Sequence, residues 1–344
     1  MPAKNTSKAP NLNSKGDLAT RKLESRIKAL SYITYASLVI AIAAIAIGIF
    51  ALFTLHNAPT TTTVNTTTTV PVIGDTLTGI NAPLNSTQLS IINNASNSYF
   101  ETAGEMLLNG SLDNIIGIKT NITSQYIVDN KTAVIYLGST TCVFCGENRW
   151  AMALALSRFG QFSKLYKGYS AIQDHDVPTL YWTPANLNSS VAQIGNYYTS
   201  NYIDFVTIED TGPITGGFYL QPLSTIQQEI NATKNTTYMG AISKIIALNN
   251  FQGTPYTIWG SYIVPGADAE LFGNSPPNST GVLQIVSMTH AQILSQFAKP
   301  STQFSWGEYA AADLYIAMTC SSIGNSAQIC KLPAIEKLES IKQY

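Results

Sequence analysis

Charged side chains are scarce in this sequence of 344 residues, at 11% of the total, and histidine and cysteine are rarer still, with three and four copies. A structural zinc site takes four ligands, often as two close pairs. The sequence has one CxxC pair and no two histidines at zinc spacing, so a metal site has little support. It also lacks a glycine-rich phosphate loop, a Ser/His/Asp constellation and the basic patch typical of nucleic-acid binding.

Charge is absent altogether from residues 29–55, "ALSYITYASLVIAIAAIAIGIFALFTL". This run exceeds the roughly 20 apolar residues that a membrane-spanning helix needs, and it is longer than the apolar core of a cleavable signal peptide. We therefore predict an uncleaved transmembrane anchor. Without an ionisable side chain in the span, a channel or proton-relay role is unsupported.

The charges around this span are unevenly distributed. Residues 1–28 carry seven basic and two acidic side chains, a net of +5, and no Lys or Arg follows the span until Lys119. The positive-inside rule then predicts a cytoplasmic basic tail at 1–28 and an extracellular main domain.

Beyond the anchor, residues 56–85 are rich in threonine and punctuated by proline, which is typical of an extended and often glycosylated stalk. The external part of the chain contains N-glycosylation sequons, a weak motif that marks exposed loops where it is used. They occur at Asn65, Asn85, Asn94, Asn109, Asn121, Asn130, Asn188, Asn231, Asn235 and Asn278.

Residues 86–344 alternate between helix-like and strand-like patterns and predict an α/β domain. The predicted elements are a helix over 86–110, a buried strand over 132–138, a helix over 146–160, strands in "PTLYWTP" and "YIDFVTI", a hairpin around Trp259-Gly260-Ser261, and a helix that starts with a Ser305/Glu308 capping box and runs to Cys320.

Cys142 and Cys145 stand where the strand at 132–138 gives way to the next helix. The pair could be a redox couple, a structural bridge or half of a metal site, and the strand–CxxC–helix arrangement favours the redox couple. A cysteine at a helix N-terminus is favoured as a thiolate by the helix dipole. We therefore expect Cys142 to be the more acidic and more exposed nucleophile and Cys145 the resolving thiol. Of the charges that follow, Arg149 could tune this pair, whereas Glu147 is expected on a solvated helix face.

With a strand–CxxC–helix followed by "QGTPYTIWGSYIVPG", the chain resembles the thioredoxin-like superfamily. Thr254-Pro255 is similar to the Thr–cis-Pro dipeptide of bacterial disulfide oxidoreductases, and the strand, tight turn and strand after it also match. The resemblance implies that Thr254 and Pro255 face the cysteines and shape a substrate groove, in which backbone beside the proline pairs with an extended substrate.

A closer resemblance rests on "CVFCGENRWAMALALSRFG", "YIDFVTIE" and the two C-terminal cysteines, which look like an archaeal family of membrane-anchored thioredoxin-like proteins of unknown function. The chain departs from well-studied oxidases in having Val143 and Phe144 between the cysteines. It also has a long insertion between the CxxC helix and Pro255, where bacterial disulfide oxidoreductases carry helices. The resemblance implies a thioredoxin-like fold with a helical insertion, preceded by a single transmembrane helix.

Cys320 and Cys330 lie between a helix end and Pro333 and are expected to form a structural disulfide on the extracellular side. The resulting hypothesis is a membrane-anchored thiol–disulfide oxidoreductase that acts on secreted or surface proteins. It needs no metal or organic cofactor, and its partners are protein thiols or disulfides and a membrane redox protein. The alternative is a non-catalytic, glycosylated surface-binding protein in which both cysteine pairs are stable bridges.

Overall fold

The computed structural model describes residues 79–112, 127–128, 130–172, 175–187, 192–211, 228, 253–266, 285–286 and 288–340. The predicted cytoplasmic tail, the predicted anchor at 29–55 and most of the predicted stalk lie outside these residues. Among the described residues, none of the helices combines the length and the apolar character needed to cross a membrane.

The described fold is mixed α/β. Its helices are α1 (Ser86–Asn93), α2 (Asn97–Leu108), α3 (Val143–Leu156), α4 (His290–Ala298), α5 (Gln303–Ile323) and α6 (Pro333–Ser340), with a short 3-10 helix at Gln328–Lys331. Its strands are β1 (Ile127–Val128), β2 (Lys131–Ser139), β3 (Gly160–Phe162), β4 (Tyr166–Tyr169), β5 (Pro178–Tyr181), β6 (Gln193–Ile194), β7 (Tyr198–Ser200), β8 (Ile203–Asp210), β9 (Tyr256–Trp259) and β10 (Tyr262–Pro265).

The central sheet has the strand order β10-β9-β2-β8-β6, with β1 paired to the start of β2. Strands β2 and β8 run parallel, and β9, β10 and β6 run antiparallel to their neighbours. Eight of the nine residues of β2 are buried, and β8 is nearly as buried. Continuous burial is typical of central parallel strands that are covered on both faces.

Helix α5 lies at the centre of the helical packing and contacts α2, α3 and α6. Its 21 residues are buried over most of their length. Tyr315 of α5 stacks on Trp259 of β9 at a centroid distance of 4.5 Å, and its hydroxyl donates to Asn148 of α3. These contacts hold α3 against the end of the sheet at which β2 finishes and α3 begins.

The hairpin predicted around Gly260 is confirmed, because β9 and β10 pair across Trp259 and Tyr262. Gly260 has a φ of +62°, which a glycine adopts without steric cost. A Cβ at this position would also lie 2.1 Å from Ser322 Oγ on α5. The turn therefore needs glycine for both its conformation and its close contact with α5.

The predicted helix over 86–110 is two helices. Asn94 ends α1 and Ser96 begins α2, with the Ser96 hydroxyl accepting a hydrogen bond from the Ser98 N–H. Short polar side chains such as these compete with the helical backbone for hydrogen bonds, and here they separate two helices that the apolar pattern alone had joined.

Two predicted helix starts also shift. Helix α3 begins at Val143 and ends at Leu156, earlier at both ends than the predicted 146–160. Helix α5 begins two residues before Ser305, and its capping box pairs Thr302 with Ser305. The prediction of a Ser305/Glu308 box was wrong because Ser305 occupies the third helical position, and Glu308 is buried.

The end of the predicted stalk packs onto the domain. The N–H groups of Asn81 and Leu84 donate to the carbonyls of Lys167 and Leu165 at 2.9 and 2.8 Å, and Leu84 is buried. The domain therefore includes residues 79–85, and the boundary predicted at residue 86 was too late.

Candidate active site

Cys142 is the N-cap residue of α3, three residues after the end of β2. Its extended backbone, with φ −82° and ψ 128°, turns the chain from strand into helix, and its Sγ accepts a hydrogen bond from the Cys145 N–H at 3.4 Å. The sulfur thus occupies the place of a capping oxygen, where backbone N–H groups and the helix dipole favour negative charge.

Cys145 lies one turn into α3, behind Cys142. Its Sγ accepts a hydrogen bond from the N–H of Ser139, the last residue of β2, at 3.4 Å. Both cysteines are free thiols. Cys142 is 3% exposed and Cys145 is completely buried, so Cys142 presents the only sulfur of this pair that a partner can reach.

The sheet brings Thr254 and Pro255 to the same place. Because β9 runs antiparallel to β2 and pairs Tyr256 with Leu137, the residues just before β9 lie beside the end of β2. The Thr254–Pro255 peptide is cis. The Thr254 carbonyl oxygen accepts a hydrogen bond from Cys142 Sγ at 3.7 Å. The structure thus places Thr254 next to Cys142.

The pKa values of the two thiols shift in opposite directions. The hydrogen bond to Cys145, followed by burial, raises the pKa of Cys142 well above its usual value. Burial acts to raise the pKa of Cys145 as well, but the hydrogen bond from Cys142 and the charge of Arg149 outweigh it and lower that pKa. The thiolate is therefore favoured on Cys145. This direction is the reverse of the expectation that Cys142 is the more acidic thiol, and the hydrogen bond between the two sulfurs is its largest cause at Cys142.

A buried ion pair lies beneath the cysteines. The guanidinium of Arg149 donates to both carboxylate oxygens of Glu209 at 2.9 and 2.7 Å, and to the Ser139 carbonyl at 2.8 Å. Arg149 is completely buried and Glu209 is 4% exposed. Burial acts to lower the pKa of Arg149, but Glu209 outweighs it and the pKa rises; burial raises the pKa of Glu209 against the opposing effect of Arg149.

Aromatic rings enclose the ion pair. The guanidinium carbon of Arg149 lies 5.7 Å from the ring centre of Tyr136 and 5.9 Å from that of Tyr181. Such contacts stabilise a cation that has lost its water. The sequence suggested a tuning role for Arg149 but did not identify Glu209. The available signal was its position at the carboxyl end of the strand "YIDFVTIE", beside the end of β2.

Glu147 is 2% exposed, so the expectation that it lies on a solvated face was wrong. Helix α3 is covered on all sides, and 13 of its 14 residues are buried. The exception is Phe144, which is 43% exposed between the two cysteines. An exposed aromatic ring therefore borders the reactive sulfur.

The second cysteine pair is a disulfide between Cys320, near the end of α5, and Cys330 of the 3-10 helix. Both residues are completely buried. Among the residues that the structure describes, no group of three or more His, Cys, Asp or Glu side chains is placed to hold a metal ion.

A protein-family model described as "Domain of unknown function (DUF929)" matches residues 120–320. The match covers more than half of the chain and includes Cys142, Cys145, Thr254 and Pro255, so the chain belongs to this family. No curated protein and no solved structure matches the chain.

Proposed function

We propose that this member of the DUF929 family is a membrane-anchored, extracytoplasmic thiol–disulfide oxidoreductase that acts on secreted or surface proteins through Cys142 and Cys145. The observation that carries the proposal is the position of Cys142. It caps a helix that follows the end of a central strand, and a second free thiol, Cys145, lies one turn behind it. Its Sγ lies 3.7 Å from the carbonyl oxygen of Thr254, which is distant in the sequence. A structural bridge does not require this arrangement.

A thioredoxin-like fold with a helical insertion, of the kind found in the archaeal membrane-anchored family that the sequence resembles, is part of the proposal. It is supported by parallel β2 and β8, by α3 starting from the end of β2, and by the β9–β10 hairpin that follows Pro255. The proposed helical insertion falls between β8 and β9, where residues 212–227 and 229–252 lie outside the described part of the chain.

The proposed chemistry is exchange through a mixed disulfide. A bond forms between Cys142 Sγ and a sulfur of the partner protein, and the thiolate displaced in that step leaves with the electron pair of the broken S–S bond. Cys145, one helical turn away, resolves or releases the complex. Thr254 and Pro255 border the site, and the substrate backbone pairs beside them.

The cellular setting is proposed from the sequence. The span at 29–55 anchors the chain with its N-terminus in the cytoplasm, and a membrane redox protein regenerates the pair. The described sequons at Asn85, Asn94, Asn109 and Asn130 are all exposed, which is compatible with a glycosylated outer surface. No metal or organic cofactor takes part.

A redox titration tests this function directly. The full-length protein in detergent is equilibrated with glutathione buffers of graded ratio, quenched with acid, alkylated and analysed by mass spectrometry. We expect the Cys142–Cys145 pair to interconvert reversibly at a potential above about −300 mV, the approximate upper limit for structural bridges. A lower potential, or a pair that does not interconvert, overturns the proposal and supports the surface-binding alternative.

A further inference from the structure

A continuous chain of contacts links the buried ion pair to Cys145. The N–H of Ser139 donates to Cys145 Sγ at 3.4 Å, and the carbonyl of Ser139 accepts from Arg149 at 2.8 Å. Arg149 follows Cys145 by four positions on α3, so the two side chains project from the same face of the helix. Glu209 holds the guanidinium in this position through its bidentate hydrogen bonds.

The charges in this pocket do not cancel at Cys145. Glu209 neutralises Arg149 as a pair, yet the positive charge of Arg149 acts more strongly on Cys145 than the negative charge of Glu209 does. Because Cys145, Arg149 and Glu209 are buried, this charge difference has a larger effect than it would at the surface. The charge of Arg149 therefore favours the thiolate form of Cys145.

At Cys142 the net effect is the opposite, although the Cys145 N–H and the charge of Arg149 act to lower its pKa. Its Sγ donates to the carbonyl oxygen of Thr254, an acceptor that stabilises the thiol rather than the thiolate. In the reduced pair, these contacts favour the proton on Cys142 and the negative charge on Cys145. A proton on Cys142 disfavours its attack on a substrate disulfide, and a stabilised thiolate makes Cys145 a better leaving group.

From this geometry we infer the direction of electron flow: the pair is a disulfide donor that oxidises protein dithiols, and Arg149 is a positioning residue that stabilises the thiolate of Cys145 when it leaves. The inference rests on the proposed exchange activity and adds to it the substrate class, reduced proteins with two cysteines that can pair. Glu209 moderates the effect by fixing Arg149 and reducing its net charge.

The reaction balances in two steps. A substrate thiolate attacks Cys142 Sγ in the oxidised pair, the Cys142–Cys145 bond breaks, and its electron pair leaves on Cys145. The second substrate thiol then loses its proton and attacks the first substrate sulfur, so that Cys142 leaves and takes up a proton. The substrate has lost two electrons and two protons, and the disulfide of a second, membrane-bound redox protein restores the pair.

The test compares Arg149→Met and Glu209→Gln in the full-length protein. If Arg149 stabilises the thiolate, Arg149→Met raises the thiol pKa and makes the pair more reducing, whereas Glu209→Gln lowers the thiol pKa and makes the pair more oxidising. We expect about a tenfold change in the equilibrium with glutathione in each direction, or about 30 mV for this two-electron couple. The pKa is followed by thiolate absorbance, and the potential is measured at a pH above that pKa.

The opposite signs separate this inference from a purely structural ion pair, since loss of a structural contact would move both variants in the same direction or in neither. If both variants shift the potential in the same direction, or if neither shifts it, the inference is overturned while the proposed exchange activity is unaffected. Absence of a reversible Cys142–Cys145 transition in the unmodified protein would instead overturn the proposed function.

Arg158→Met is the matched control, because it removes another largely buried cation that binds backbone carbonyls near α1, and it should leave the potential unchanged. If Arg149→Met fails to fold, the direction of the shift in Glu209→Gln still decides the question.

Discussion

Cys142 and Thr254 lie 112 positions apart in the chain, yet the thiol of the first donates to the carbonyl of the second at 3.7 Å. The antiparallel pairing of β9 with β2 creates this contact, because it places the residues before β9 beside the residues after β2. The backbone at Thr254 therefore borders the sulfur of Cys142. In the proposed function, an extended substrate chain pairs with this backbone, as the resemblance to disulfide oxidoreductases implies.

The division of labour between the two cysteines can be tested by trapping. Replacing Cys145 by Ala leaves the reachable sulfur of Cys142 without a resolving partner, so mixed disulfides with other proteins should accumulate. Non-reducing electrophoresis of the protein from its native membrane should show them as bands that disappear with reductant.

Cys142→Ala is the matched control and should form no such complexes, because the remaining sulfur of Cys145 is completely buried. If Cys145→Ala forms no adducts, or if both variants form them equally, the proposed roles are wrong.

The Cys320–Cys330 disulfide should resist conditions that reduce the first pair. Both of its cysteines are completely buried at the end of α5, so a reducing thiolate cannot reach either sulfur without local unfolding. Differential alkylation followed by mass spectrometry should find Cys320 and Cys330 unlabelled at reductant concentrations that label Cys142. Equal labelling of the two pairs would indicate a relay between them instead of a structural bridge.

The strand, the CxxC helix and the hairpin could be predicted from the sequence because their signals are local. The apolar run over 132–138, the cysteines that follow it and the turn at Gly260 each lie within a few residues of the structure that they specify. The break between α1 and α2 is also a local feature, but the Asn94–Ser96 signal was weaker than the apolar pattern around it.

The ion pair could not be predicted because it depends on packing between distant segments. The assignment of the thiolate could not be predicted because it depends on burial and on the orientation of the two sulfurs. Arg149 and Glu209 are 60 positions apart, and nothing in either local sequence indicates that the other residue neutralises it. The sequence placed Cys142 correctly at the helix start and inferred its acidity from the helix dipole. The hydrogen bond between the two buried sulfurs, which raises the pKa of Cys142 and lowers that of Cys145, reverses that inference.

Replacing Arg158 by Met should destabilise the domain by about 2–4 kcal/mol, a typical cost for leaving buried polar groups unpaired. Its guanidinium donates to the carbonyls of Ala95, Asn93 and Ile92, which follow or end α1. Arg158 also lies over the ring of Phe100, so it joins α1, α2 and the end of α3. Chemical denaturation followed by tryptophan fluorescence measures the change.

Arg158→Lys is the informative comparison. It keeps the charge but cannot donate to several carbonyls at once, so it should recover only part of the lost stability. Full recovery by lysine would show that charge alone matters and that the carbonyl contacts do not.

The predicted topology places residues 57–344 outside the cell, because the basic cluster precedes the only predicted span. Protease added to intact cells should remove the domain and leave a small membrane-embedded fragment, and inside-out vesicles should protect the domain. Protection in intact cells would contradict both the orientation and an extracytoplasmic role for the cysteines.

His290 should make the stability of the domain depend on pH between about 4 and 6.5. It is the first residue of α4, is 4% exposed, and donates through Nε2 to the Thr179 carbonyl at 2.7 Å. Burial lowers its pKa to about 4, with a smaller contribution from Lys167 and against the hydrogen bonds to the Thr179 and Gly168 backbone.

In the unfolded chain, by contrast, histidine titrates near 6.5. Between these two values the unfolded chain binds a proton that the folded domain does not. The free energy of unfolding should therefore increase with pH across this window. The contribution of His290, at most about 3 kcal/mol, should be lost as the pH falls towards 4.

Replacing His290 by Gln, which does not titrate, should flatten the pH dependence by that amount, and denaturation midpoints at a series of pH values measure it. An unchanged slope in His290→Gln would mean that His290 does not contribute to the pH dependence and would contradict the prediction. Burial raises the pKa of Asp313 well above its usual value, so that carboxyl alone would make stability fall as pH rises and gives the opposite sign.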